Sequence, residues 1–377
     1  MKIFFLIGIS QSLFLALLVF SKKKSSQADN ILAFWFILLA LNLLDYYFSK
    51  SGFALKHPYL LSVGTCIPLL HGPILLIYIQ SMVRTKARPK WHYLLHFIPF
   101  IVFTIYLAFD FYFLDLSGKL AFYEQQNVNP NSFIRALVLS KILAGPIYVL
   151  CSFYLLRKHK KNIVNAFSHT DGINLIWLKY VLGGIGFTWS IVLFTKISAN
   201  FSSAIADMDD NLIYISLTVV IFILGYFGIK QQAIYSNISL AKKEFKAKTS
   251  AKNRYSKSGL NESDSLEYRN RLLDFMENRK PYLDGKTSLR EIAEDLDLSV
   301  NYLSQVINEQ LKKSFFDFIN EYRVNETKKR FQHFDYKHNT ILEVAYQSGF
   351  NSKSSFNVVF KKHTGLTPSQ YIKNKTT

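Results

Sequence analysis

Seven apolar runs, each about as long as a hydrocarbon layer is thick, constrain this chain more than any other feature. They lie near residues 3–20, 31–49, 59–80, 93–114, 133–156, 175–197 and 212–230. At about 1.5 Å of rise per residue, roughly 20 apolar residues cross a layer of about 30 Å. A helix in water needs only an apolar stripe, so a soluble core has no use for segments this long, this many and this evenly spaced. Residues 1–233 are therefore expected to form a seven-helix transmembrane bundle. The opening stretch "MKIFFLIGISQSLFLALLVFSKKK" has its basic end after the apolar run and no small-residue cleavage site beyond it, unlike a secretory signal. It reads as a retained membrane helix.

Half of the residues are hydrophobic and 33 are Phe, yet the net charge is +19, so apolar blocks must alternate with basic connectors. Connectors one, three and five read "SKKKSSQADN", "SMVRTKARPKWH" and "RKHKKN". The second, fourth and sixth, "SKSGFALKHP", "DLSGKLAFYEQQNVNPNS" and "ISANFSSAIADMDDN", carry few basic residues. The positive-inside rule puts the odd connectors and the C-terminus in the cytoplasm and the N-terminus outside. Trp91, His92 and Tyr93 stand where an interfacial aromatic belt is expected. His92 and His96 have the i, i+4 spacing of metal ligands but lack an identifiable third, which favours an interfacial role. Cys66 and Cys151 both lie in apolar runs and offer neither a disulfide framework nor a cysteine metal cluster.

Several features within the runs are candidates for sensing. In "CIPLLHGPIL", Pro68 and Pro73 flank His71 and Gly72 and are expected to bend the third helix and free backbone carbonyls, either for a ligand or as an ordinary membrane-helix kink. Asp45, Asp110, Lys141 and Lys196 are ionisable, which is costly in lipid unless they pair or face water. Lys141 is the most central and is expected to face the bundle interior; the others lie near enough to helix ends to snorkel. His71, Pro73 and Lys141 are the sensor candidates. "GGIG" at 183–186 suggests close helix approach rather than phosphate binding, since no strand precedes it.

After residue 233 the chain turns polar, basic and serine-rich, marking 234–265 as a basic cytoplasmic linker and 266–377 as a soluble helical domain. "AKKEFKAK" could carry the seventh helix on into the cytoplasm. In the final domain, Ser288 and Glu291 form a capping-box pattern that opens "LREIAEDL", and a turn near Asp297 and Leu298 ends it. Ser299 can cap a second helix, with Leu303, Val306 and Ile307 on one face and Val300, Asn301, Ser304, Gln305 and Asn308 on the other. Two short helices with a tight turn and a polar outer face fit a major groove. The arrangement recurs: Thr340 and Glu343 open "ILEVAYQSGF", Gly349 turns, and "NSKSSFNVVFKKHTG" follows, with Phe356, Val359 and Phe360 inward and Lys353, Ser354 and Asn357 outward. The helix "FFDFINEYRVNETKKRFQ" between the units can set their spacing to successive grooves, about 34 Å apart.

On these residues, 266–373 resemble the DNA-binding domain of AraC-type transcription regulators, carried above all by "SLREIAEDLDLSVNYLSQVIN" and "ILEVAYQSGFNSKSSFNVVFKKHTGLTPSQY". The resemblance implies a seven-helix fold with two helix-turn-helix units. It implies base contact by Asn301, Ser304, Gln305, Lys353, Ser354 and Asn357. Lys312, Lys313, Lys361 and Lys362, near the recognition-helix ends, are phosphate-contact candidates. The family often has Arg where Gln305 and Val358 stand, which removes strong guanine contacts and leaves Val358 to a thymine methyl.

The whole chain is thus expected to be all-α: a transmembrane bundle and a double helix-turn-helix domain, similar in layout to membrane-anchored AraC-type regulators. The expected site is the bacterial inner membrane, and the expected partners are double-stranded DNA, the lipid bilayer and an unknown small-molecule or envelope signal. A homodimer is admissible. Rival readings are a transporter-like or purely anchoring bundle, with an appended regulatory or protein-interaction domain. HExxH, GxSxG, P-loop and histidine-kinase signatures are absent from the sequence, so neither an enzyme nor a cofactor is expected. A fluorescent protein fused after Thr377 should fluoresce in the cytoplasm, and alkaline phosphatase fused there should be inactive. The opposite pair of results would reverse the topology.

Overall fold

The structure is a computed structural model that describes residues 2–23, 25–83, 91–170, 175–198, 209–230, 261–334 and 339–376. Among the described residues the regular elements are helices, and an isolated antiparallel bridge joins Phe167 to Ser288. Contacts divide the chain into two units, the first comprising residues 1–157 and 175–236, the second 158–174 and 237–377.

In the first unit the principal helices are α1 (Lys2–Phe20), α2 (Gln27–Ser51), α3 (Pro68–Val83), α4 (Ile98–Leu107), α5 (Leu116–Val128), α6 (Ser132–Ala166), α7 (Ile176–Ser198) and α8 (Asp209–Lys230). The last turns of α6, from Lys158, belong to the second unit. Among the described residues, six segments of 18 residues or more are apolar enough to cross a membrane: Ile3–Phe20, Gln27–Ser51, Tyr93–Tyr112, Ser132–Ala166, Ile176–Ile197 and Asn211–Gly228. The third apolar run yields the shorter α3.

That shortening comes from Pro58, which opens a 3-10 turn, and Ser62, whose φ of 62° lies in the left-handed region. Pro68 therefore does not bend a helix. It begins one, where its missing N–H costs nothing, and only Pro73 lies inside α3. The fifth connector also differs from expectation, because "RKHKKN" continues α6 as helix, in keeping with the helix propensity of Lys and Arg. The fourth connector likewise contains α5, whose N-terminus is capped by the Asp115 carboxylate accepting from Gly118 N at 2.9 Å. The "AKKEFKAK" stretch lies outside the described residues.

Helix α1 packs between α2 and α8, α8 on α7, and α2 on α3. Ser12 donates its hydroxyl to Phe36 O at 2.7 Å, and Tyr46 stacks on Tyr214 while donating to Asn211 Oδ1 at 2.8 Å. The close approaches are not made by "GGIG". A Cβ on Gly183 would meet nothing within 4 Å and one on Gly184 only ordinary contact with Val220 at 3.6 Å, whereas one on Gly145 would fall 1.8 Å from the Trp189 ring. The outward faces of the helices carry Ile3, Leu13, Phe14, Leu139, Leu143 and Leu150, all exposed.

The second unit contains α9 (Glu262–Arg279), α10 (Leu289–Asp295), α11 (Val300–Gln305), α12 (Phe315–Arg330), α13 (Ile341–Gln347), α14 (Lys353–Thr364) and α15 (Pro368–Thr376). Its two cores share one helix. Phe315, Phe318 and Ile319 of α12 pack with Leu272, Ile292 and Leu303, while Val324 of the same helix packs with Val344, Phe356 and Phe360.

Replacing Gly145 with Ala should drive a methyl group into Trp189 and destabilise the first unit by about 1–3 kcal/mol, whereas Gly183→Ala should be neutral or mildly stabilising. Thermal unfolding in detergent distinguishes the two; equal effects would refute the packing described.

Candidate nucleic-acid interface

Each helix-turn-helix is built by local rules. Ser288 accepts from Glu291 N at 3.3 Å while the Glu291 carboxylate accepts from Ser288 N at 2.8 Å, closing a capping box that opens α10. Asp297 makes the following turn with a φ of 53°, a left-handed value that Asp tolerates better than most residues. Ser299 then caps α11 by accepting from Tyr302 N at 3.1 Å. In the second unit Thr340 and Glu343 close the same box, Gly349 turns at a φ of 91°, and Ser352 caps α14 by accepting from Ser355 N at 3.1 Å.

The caps aim the two recognition helices. On α14, Phe356, Val359 and Phe360 are buried while Lys353, Ser354, Asn357 and Val358 are exposed. On α11 and the π-helical turn after it, Leu303, Val306 and Ile307 are buried, Asn301 is exposed, and Ser304 and Gln305 are half-buried. Among the described residues of this unit, the exposed large hydrophobic side chains are Leu266, Val300, Tyr346 and Val358, two of them on the recognition helices.

Two polar side chains of α11, Ser304 and Gln305, already have partners. Gln305 donates its amide to Glu309 Oε2 at 2.9 Å, and Asn308 donates to Ser304 O at 2.7 Å and to Ser304 Oγ at 3.2 Å. Two of the four lysines near the helix ends are also engaged: Lys362 binds Asp317 Oδ1 at 2.6 Å, and Lys313 pairs with Glu321. Lys312 and Lys361 are exposed. Burial raises the Asp317 carboxyl, but bonds from Lys362 and Ser314 outweigh it and hold the group below its ordinary value. These acidic partners were not anticipated. The i, i+4 spacing of Gln305 and Glu309 is a usable signal; nothing local links Asp317 to a lysine 45 residues away.

The two helix-turn-helix motifs are held in register by the turn between α9 and α10. Arg323, buried on α12, donates Nε to Tyr282 O at 2.8 Å and Nη2 to Asp284 O at 2.9 Å. Asn351, at the foot of α14, donates to Gly285 O at 2.5 Å. One short turn is thereby bonded both to the shared helix and to the approach to the second recognition helix.

A family described as "Helix-turn-helix domain" matches residues 292–374. The C-terminal domain is an AraC-type helix-turn-helix domain. A helix-turn-helix domain of this kind is a double-stranded-DNA-binding module. The chain is 37% identical over 84 residues to an uncharacterized HTH-type transcriptional regulator of Staphylococcus aureus (strain COL), covering 22% of this chain and 11% of that one. It is 28% identical over 90 residues to the melibiose operon regulatory protein of Escherichia coli (strain K12), covering 24% of this chain and 29% of that one. A solved structure of a protein of unknown function from Listeria innocua aligns with 28% of this chain and 94% of its own, at 29% identity and a TM-score of 0.25. The chain thus spans only a small part of the length of these curated relatives.

The caps give two linked expectations. Thr340→Ala should cost about 1 kcal/mol of stability through the lost N-cap bond. Separately, the Thr340 N–H donates to the Glu343 carboxylate and holds that carboxyl below its ordinary value, so the stabilisation from this reverse bond is present above the ordinary value and is lost as pH falls through the lower folded one. Acid titration followed by circular dichroism should show that step diminished in Glu343→Gln; an unchanged profile would remove the box from the account.

Proposed function

We propose that the chain is a membrane-embedded one-component transcription regulator. In this reading a signal received by the apolar bundle in the bacterial inner membrane alters how the cytoplasmic AraC-type domain binds promoter DNA. The observation that carries it is a contrast of surfaces. Large apolar side chains cover the outside of the first unit, as a hydrocarbon solvent requires, while those exposed on the second are few.

Sequence-specific reading is assigned to Asn301, Ser304 and Gln305 in one groove and Lys353, Ser354 and Asn357 in the next. Asn357 has the amide geometry to pair with adenine, and the exposed Val300 and Val358 suit thymine methyl groups. Lys312, Lys313, Lys361 and Lys362 are assigned to phosphates, the paired two exchanging a carboxylate for the backbone. Within the bundle, sensing is assigned to the surroundings of His71, Pro73 and Lys141. His71 Nδ1 accepts from Trp35 Nε1 at 3.2 Å while its Nε2 is buried without a partner, and Lys141 Nζ reaches Thr65 O at 3.5 Å. A homodimer would let two such readers share one operator.

Two substitutions test the division of labour on fragments recovered by mapping the chromosomal sites that the intact protein occupies. Asn357→Ala should cost about 1–3 kcal/mol on the preferred sequence and relax specificity at one position. Lys361→Ala should weaken binding evenly across sequences and lower the salt slope by about 1. Flat, salt-independent binding would instead favour a protein partner for this domain.

A further inference from the structure

The second unit contains a segment that belongs to neither helix-turn-helix. Residues 158–174 group with it, and within them "FSH" follows directly on the end of α6. Ser168 is only 1% exposed, an unusual depth for a serine just past a helix end. Its hydroxyl donates to Thr287 O at 2.5 Å and accepts from Arg323 Nη2 at 3.1 Å. Its carbonyl accepts from Arg323 Nη1 and from Asn320 Nδ2, both at 3.1 Å. Phe167 pairs with Ser288, the residue that caps α10, in the isolated antiparallel bridge.

We infer that the seam around Arg323 is a docking site for the Phe167–Ser168 segment of this same chain, and that docking is the input through which the bundle acts on the DNA-reading domain. The choice of partner follows from chemistry. A buried guanidinium needs acceptors on every N–H, because an unmet donor away from water is costly. Tyr282 O, Asp284 O and, more distantly at 3.4 Å, Asn320 Oδ1 serve part of Arg323; Ser168 adds two acceptors at 3.1 Å and returns a donor to Thr287 O. The segment therefore supplies two of the five acceptors in a network that the AraC-type domain fills only in part.

The location gives docking its consequence. The Tyr282–Ser288 turn that Ser168 tightens is the one that Asn351 grips at the foot of the second recognition helix, and it ends at the cap of α10 in the first. With the segment seated, the two readers are held at one separation, which lowers the ordering cost of binding both grooves. With it withdrawn, Arg323 is under-satisfied and the turn is freer. Phe167 and Ser168 directly follow α6, whose earlier turns lie in the apolar unit, so a signal there has a covalent route to the seam. The signalling half of this inference rests on the membrane-sensor reading; the docking half does not.

The test uses the full-length protein in native membranes. A photoreactive phenylalanine analogue at position 167 should crosslink to residues 281–289 of its own chain, located by mass spectrometry. Crosslinks found only elsewhere, or none, would overturn docking. On the chromosomal fragment most enriched by the wild-type protein, Ser168→Trp should weaken binding at least about fivefold, the lower end of ordinary coupling strengths, and Ser168→Ala should weaken it less. Ser168→Ala preserves the fold if the tryptophan does not. Crosslinking at the seam together with wild-type affinity in both variants would overturn the coupling. If the wild type enriched no fragment, the regulator reading would fail, while the crosslink would still decide whether the segment docks.

Discussion

The second unit depends on a positive charge buried where two helix-turn-helix units meet. Burial pushes the Arg323 guanidinium down to about 10, still far above neutrality, so it remains a cation with five donors to satisfy. The acceptors it touches are mostly backbone carbonyls, and carbonyls have fixed positions. A hydrophobic contact at the same place would tolerate sliding; a planar fork bonded to Tyr282 O and Asp284 O does not. The two cores that share α12 are joined at this point by direction as well as by proximity.

In the proposed reading the first unit answers to a different solvent. In water, apolar side chains collect inside and leave the surface to charge. Here Leu139, Leu143 and Leu150 point outward, while Ser12 and Thr218 turn inward to bond backbone carbonyls. Packing is then left to shape rather than to the expulsion of water, which is why a residue as small as Gly145 matters beside a ring as large as Trp189.

What could be foreseen from sequence divides along the range of the forces involved. The capping boxes at Ser288 and Thr340 were legible because cap and acceptor are three residues apart, and the buried face of α14 was legible because Phe356, Val359 and Phe360 follow the helical period. The glycines were misjudged, because whether a Cβ fits is decided by the neighbouring helix: "GGIG" faces open space or ordinary contacts, and Gly145 does not. Pro68 was expected to bend a helix that Ser62 had already prevented from forming. Lys362 with Asp317, and Ser168 with Arg323, lie far beyond any local pattern.

The first recognition helix has a thermodynamic consequence of its own. Gln305 rests on Glu309, and Ser304 on Asn308, before any nucleic acid arrives. A side chain already content at home gains little by moving to a poorly matched base, and only a well-matched one repays the exchange. In the proposed reading, each base contact made by Gln305 or Ser304 first breaks one of these bonds, so its net worth is the difference between the two.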